Sequence, residues 1–231
     1  MPISSIEEGI EDIRNGRTVI LVNEDAPDND GFFCMAAEKV SAESINYMMH
    51  HGRGIIYVTL TDERIRELCI PMVPEENSLL SGLLCGASFS VNLPGVQGVS
   101  AQGRAHTIRA IVANEARHED IVVPGHVQPL QARSGGVLAR SGRTDASVDL
   151  ARLAGLKPAG VTCQILDQDG SVALMPSLVR LAEKEGLKIL SVASLIAYRL
   201  RNESLVTRVA EEEFPTLHGG KYHAIVYRNA V

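Results

Sequence analysis

The sequence predicts an α/β fold: an α+β sandwich built on a mixed sheet. Three observations predict it. Short β-branched or apolar runs, at 18–22, 54–59, 161–166 and 188–192, are interleaved with capped helical stretches. Asp167-Gln168-Asp169-Gly170 has the composition of a hairpin turn, which argues against a purely parallel sheet. Apolar residues make up 45% of the chain, enough for a real core. Trp is absent and aromatics reach only 4%, so Val, Ile, Leu, Ala and Met must fill that core. A length of 231 residues suits one large domain, or one domain plus an appendage.

The elements follow in order. Ser5-Ile6-Glu7-Glu8 is a capping box, and Ile6, Ile10 and Ile13 mark one face of a helix that Gly16 stops. Residues 18–22 read as a buried strand. Residues 23–31 are acidic and turn-rich, and 32–37 return to an apolar strand. A helix over 41–51 and a buried strand over 54–59 come next. Thr61-Asp62-Glu63-Arg64 opens a short helix that ends before Pro71, and 71–77 reads as a loop. Residues 87–92 are strand-like, and 95–103 form a polar, glycine-rich loop. Ile108, Ile111 and Val112 favour a helix over 107–112. Strands at 161–166 and 188–192 bracket a helix at 177–185 that Gly186 closes, and a helix over 194–202 follows. The run Glu211-Glu212-Glu213 reads as the solvated face of a helix.

Charge and composition exclude several classes. A net charge of −6 argues against nucleic acid as a main partner, since phosphate backbones need clustered Lys and Arg. No apolar run has membrane-spanning length, and the N-terminus lacks a secretion signal, so no membrane partner and a cytoplasmic location are expected. Cys34, Cys69, Cys85 and Cys163 lie far apart in apolar surroundings without CxxC spacing. Buried, reduced thiols are expected.

The stretch from 124 to 155 carries the chemistry. Pro124-Gly125-His126 reads as a rigid loop bearing a histidine, and a glycine-rich segment then brings Arg140 and Arg143. Gly142 and Thr144 stand where a helix opens. Free N–H groups at a helix start, beside guanidinium groups, suit a phosphate or carboxylate. The competing reading is an ordinary loop and a capped helix.

These residues, with others, carry a resemblance. Ala36-Ala37-Glu38, His51-Gly52-Arg53-Gly54-Ile55, Pro71-Met72, Gly98-Val99-Ser100-Ala101, Arg104 with Thr107, Pro124-Gly125-His126-Val127, Gly135-Gly136-Val137-Leu138 with Arg140, and Asp149-Leu150-Ala151-Arg152-Leu153-Ala154-Gly155 occur in order over residues 6 to about 200. The chain thereby resembles 3,4-dihydroxy-2-butanone 4-phosphate synthase, which converts ribulose 5-phosphate to a four-carbon phosphate plus formate in riboflavin biosynthesis. The resemblance implies an α/β sandwich, a homodimer with active sites near the subunit boundary, and a divalent metal, usually magnesium. Residues 203–231 resemble the opening of a GTP cyclohydrolase II domain, through Leu205-Val206-Thr207-Arg208-Val209-Ala210 and Tyr222-His223-Ala224-Ile225-Val226-Tyr227. That domain's metal-binding cysteine cluster is missing, so cyclohydrolase activity is not expected. The expected organisation is a synthase-like domain over 1–202 and a truncated remnant over 203–231.

The chain departs from the family pattern at the metal and acid–base positions. Asp28 and Asp30 stand for two glutamates, of which the first is a metal ligand. Pro27 and Phe32 replace an arginine and an aspartate that contact substrate. Arg143 stands where the metal-binding histidine belongs, and a protonated guanidinium cannot ligate a metal. Gln164 replaces a glutamate needed for proton transfer, and an amide cannot exchange a proton at neutral pH. Tyr57 replaces a cysteine, and Gly103 the aspartate before Arg104.

The expected catalytic set is therefore His126 as base, Arg143 in place of the metal's charge, Asp28 and Gln164. Arg140, Gly142, Thr144, Asp30, Arg104, Thr107 and Tyr57 are expected to bind an anionic small-molecule substrate. No metal or cofactor is expected, with Mg2+ required only if the ancestral reaction persists. The leading expectation is a diverged, metal-independent enzyme acting on an anionic carbonyl compound. The alternatives are the ancestral synthase reaction at reduced efficiency, or a catalytically silent homologue that binds a ligand or partner.

Overall fold

Ser5 shows how a local signal sets up the sandwich. Its hydroxyl accepts the Glu8 N–H, the Glu8 carboxylate accepts the Ser5 N–H, and Ile6, Ile10 and Ile13 of α1 (Ile6–Arg14) all turn inward. Full burial of each such side chain stabilises the fold by about 1.5–3 kcal/mol. The computed structural model describes residues 3–23, 30–74, 83–215 and 219–229. The other helices are α2 (Ala42–His51), α3 (Asp62–Glu67), α4 (Ala101–Val112), α5 (Arg143–Leu153), α6 (Met175–Glu185) and α7 (Val192–Asn202). Hydroxyls of Ser41, Thr61, Ser100 and Ser191 cap α2, α3, α4 and α7.

One mixed sheet runs through the middle. Its strands are β1 (Val19–Val22), β2 (Gly31–Ala36), β3 (Arg53–Leu60), β4 (Leu84–Cys85), β5 (Phe89–Val91), β6 (Ile121–Gln131), β7 (Ala159–Ile165) and β8 (Ile189–Ser191). The order is β4-β6-β3-β7-β2-β1-β8, with β5 also on β6. The pairs β1–β8 and β3–β6 are parallel and the others antiparallel. The α/β sandwich with a mixed sheet therefore holds. On one face Val19, Leu21, Cys34 and Ala36 meet Ile10 of α1, Leu150 of α5 and Leu195 of α7. On the other, Ile20, Phe33, Met35 and Val161 belong to the core that holds Ile45 of α2, Ile108 of α4 and Leu178 of α6.

Four local expectations change. Ser100 caps α4, so residues 101–103 are helical and the glycine-rich loop ends at its cap. The Pro124-Gly125-His126 segment is not a loop but the interior of β6, where Val127 pairs with Phe89. Glu211-Glu212-Glu213 lie not on a helix but in β9 (Val206–Pro215), paired with His223, Ala224 and Ile225 of β10 (Lys221–Asn229). The aromatic and β-branched residues of β10 supply strand pairing that a window around the glutamates does not contain. Finally, only Cys34 and Cys163 are buried, with their thiols pushed up to about 12 and about 11 by burial. Cys69 follows the short α3 at φ 48° and is exposed, and Cys85 is half-buried.

Candidate active site

The start of α5 is placed by contacts further along the helix. Gly160 of β7 has no side chain because a Cβ there would lie 2.8 Å from both Ser147 Cβ of α5 and Thr59 Oγ1 of β3. Thr59 Oγ1 and Ser147 Oγ are 2.7 Å apart, and Thr59 Oγ1 also accepts the Gly160 N–H at 3.0 Å. Asp145 accepts the Arg133 N–H at 2.7 Å and Arg140 Nε at 2.6 Å, while Asp149 accepts the Val137 N–H at 2.8 Å. The helix is thus bolted to the sheet and to the 133–140 segment, and its first residue, Arg143, has a defined position.

Arg143 lands on a prepared surface. Phe32 of β2 pairs with Gln164 of β7, and Tyr57 of β3 pairs with Thr162, so strand alternation turns Phe32, Gln164 and Tyr57 toward α5. The Arg143 guanidinium carbon lies 3.8 Å over the Phe32 ring. Its Nη1 donates to Asp30 Oδ2 at 3.0 Å and Oδ1 at 3.3 Å, and Gln164 Nε2 donates to the same Oδ2 at 3.2 Å. Burial pushes the Arg143 pKa down, while the Asp30 charge and then Tyr57 hold it up. Burial, then the Cys85 thiol, pushes the Tyr57 hydroxyl up, and Arg143 pulls it back. The structure therefore brings together Arg143, Asp30, Gln164, Tyr57 and Phe32. Asp28 lies outside the described residues.

His126 is elsewhere. It is exposed on β6 and lines a separate cleft of about 510 Å3 with Arg104, Arg53, Gly54 and Gln128. Ser90 Oγ accepts the His126 backbone N–H at 3.0 Å and lies 3.2 Å from Nδ1, so Nε2 is the ring nitrogen without a partner among the described residues. Arg104 donates through Nε to the Val99 carbonyl at 3.1 Å. Thr107 does not reach either cleft. It is fully buried in α4, and its hydroxyl accepts the Val91 N–H at 3.2 Å, which makes it a core residue rather than a substrate contact.

The expected anion cradle is split as well. Arg140 is tied to the buried Asp145 and to the Gln131 carbonyl, and it borders a cleft of about 690 Å3 with Asp62, Arg133 and Ser134. Gly142 is the α5 cap and offers no side-chain acceptor. Thr144 does not open the helix but follows Arg143. It is buried, and its Oγ1 has no partner among the described residues. Asn23, which sequence reasoning passed over, donates to the Ser141 carbonyl at 3.2 Å, and its own buried Oδ1 has no partner among the described residues. A lone Asn at the end of a strand carries no signal that a segment more than a hundred residues away will meet it.

The mixed-sheet sandwich thus holds a largely buried arginine–carboxylate pair at the start of α5. Residues 7–198 match the 3,4-dihydroxy-2-butanone 4-phosphate synthase family, and the chain belongs to that family. It is 48% identical over 224 residues to "Riboflavin biosynthesis protein RibBA" of Aquifex aeolicus, covering 96% of this chain and 55% of that protein. A crystal structure of RibBX, a two-domain 3,4-dihydroxy-2-butanone 4-phosphate synthase from A. baumannii, superposes with a TM-score of 0.85 at 42% identity, covering 98% of this chain and 66% of that one. A 3,4-dihydroxy-2-butanone 4-phosphate synthase in complex with two magnesium ions superposes at 0.82 with 31% identity, covering 86% of this chain and 98% of that one. The chain spans little more than half to under two thirds of the length of the curated relatives it matches. Among the described residues no helix is long and apolar enough to cross a membrane.

Magnesium fits the described residues poorly. No group of three His, Cys, Asp or Glu side chains that could hold a metal occurs among them. Asp30, the carboxylate at this centre, is already engaged by Arg143 and Gln164. The expectation of a metal-independent enzyme still gains nothing from the comparisons, because a relative of this fold carries two magnesium ions.

Proposed function

We propose that this chain catalyses the reaction for which its family is named: ribulose 5-phosphate to 3,4-dihydroxy-2-butanone 4-phosphate plus formate, as a step in riboflavin biosynthesis. The observation that carries this reading is similarity along nearly the whole chain, 48% identity over 96% of it. It displaces the diverged enzyme as the leading reading. The free thiols fit a reducing cytoplasm. His126 and Arg143 line separate places in one chain, which supports a homodimer in which a second copy brings them together. A solution mass of one chain alone would count against that arrangement.

One observation favours a second reading. Gln164 sits 3.2 Å from Asp30 at the position where the resemblance calls for a proton-exchanging glutamate. General acid–base groups contribute about 10²–10⁴-fold, and an amide supplies none of it. On that ground the chain is a metal-independent enzyme, or a silent binder, for an anionic carbonyl compound. The two readings separate in one assay. The protein is incubated with ribulose 5-phosphate, with and without Mg2+, and formate is followed by NMR. Formate release establishes the first reading. No release, together with a thermal shift on adding sugar phosphates or small carboxylates, establishes the second. Neither turnover nor binding removes both.

A further inference from the structure

The disagreement between this centre and a magnesium site has a physical content of its own. Among the described residues Arg143 uses only Nη1, against both oxygens of Asp30, and its face lies on the Phe32 ring, which offers a cation π-electrons but no lone pair. Gln164 adds a second donor to Asp30 Oδ2. The Asp30 side chain is 9% exposed and that of Arg143 26%, so the pair is largely shielded from water. Among the described residues one negative and one positive charge balance in this cluster. A Mg2+ ion needs near-octahedral oxygen ligands at about 2.0–2.1 Å. Here it would have to displace the guanidinium from the one carboxylate that engages it among the described residues, and then sit beside that positive charge.

We infer that Arg143 is the resident cation of this centre: it neutralises Asp30 in place and keeps divalent ions out. Nε and Nη2 of Arg143 have no partner among the described residues. They are the donors left for an acceptor oxygen of the ligand, a carbonyl or carboxylate. Arg suits this because its planar fork offers parallel N–H groups. The inference rests on the family reading for the location of the site, and it requires that whichever reaction the site performs proceed without a divalent ion at this centre.

The test measures binding rather than turnover. Mn2+ is titrated as a paramagnetic stand-in for Mg2+, with bound ion read by electron paramagnetic resonance. The samples are the full chain, Arg143→His, and Arg143→His combined with Asp30→Asn, each checked for cooperative melting. The unsubstituted chain is expected to show no saturable binding up to millimolar Mn2+. Arg143→His is expected to bind about tenfold or more tighter, and the double variant to lose that gain. Saturable, stoichiometric Mn2+ binding by the unsubstituted chain overturns the inference, and so does an Arg143→His variant that melts normally but gains nothing. If Arg143→His does not fold, the unsubstituted chain decides alone. Formate production in the turnover assay is a separate result, so failure of that reading and failure of this one are told apart.

Discussion

Of the arginines that meet carboxylates around α5, Arg199 and Arg143 are used differently. Arg199, from α7, spends every side-chain nitrogen. Nη1 donates to the Gly135 carbonyl and Asp149 Oδ2, both at 2.7 Å, while Nε and Nη2 donate to Glu203 Oε2 at 3.0 and 2.8 Å. Burial disfavours its charge, but Glu203 and Asp149 outweigh that, so its pKa rises. Arg143, at the start of the same helix α5, engages one carboxylate through one nitrogen among the described residues, and burial wins, so its pKa falls. A buried guanidinium with all its donors satisfied is a clamp between elements. On the inference drawn above, one with donors unpartnered among the described residues is placed to meet a ligand.

The comparison is most exposed to a pair of alanine substitutions. Arg199→Ala leaves Asp149 with the Val137 N–H and the more distant Arg152, and Glu203 with Arg152, and should cost about 3 kcal/mol in urea unfolding, the low end for removing one partner of a buried pair. Arg143→Ala breaks a charge-assisted contact at a more open place and should cost about 1–2 kcal/mol while abolishing ligand-induced thermal shifts. Equal losses would erase the distinction between clamp and ligand site.

Gln164→Glu sharpens the comparison from the other side. It gives Arg143 the second carboxylate that Arg199 already has, and it restores a group able to exchange protons beside Asp30. Formate release from ribulose 5-phosphate should rise about a hundredfold, the low end of general acid–base contributions. An unchanged rate would show that the amide does not limit the reaction.

The smallest expected effect is on acid stability. Burial pushes the Glu203 pKa up, but Arg199 and Arg152 outweigh it, and the net direction is down. The folded state therefore holds the ionised form more tightly than the unfolded chain does. Its contribution is fully present above the ordinary glutamate pKa and is lost as pH falls through the lowered value. Glu203→Gln should flatten that part of the acid-side stability profile, measured by urea unfolding at a series of pH values. Arg143→Gln should leave the Glu203 part unchanged.

The legible parts of the molecule share a physical trait. The Ser5–Glu8 capping box, the Ile6/Ile10/Ile13 face and the Gly186 stop act over a few residues, so a short window contains both the signal and its consequence. The cluster around Arg143 was legible in another way. Matching residues in family order pointed to Arg143, Asp30, Gln164 and Tyr57 as neighbours, and the sheet register brings them together. Thr107 failed because burial is a property of α4 packed on the sheet, not of a threonine beside an arginine. Arg199 passed unnoticed because its sequence neighbours make it look like an exposed charge near a helix end. Asp149 and Gly135, which give it its role, are 50 and 64 residues away.

By itself the sequence determined the sandwich class, the capped helices and the family, because hydrophobic period, caps and residue order are local or linear properties. Only the tertiary structure decided which charges cancel. It set Arg143 against Asp30, spent Arg140 on Asp145 and Arg199 on Asp149, and left His126 in another cleft. Coulomb energy, desolvation and hydrogen bonding depend on distance and burial in three dimensions, and neither can be read along a chain.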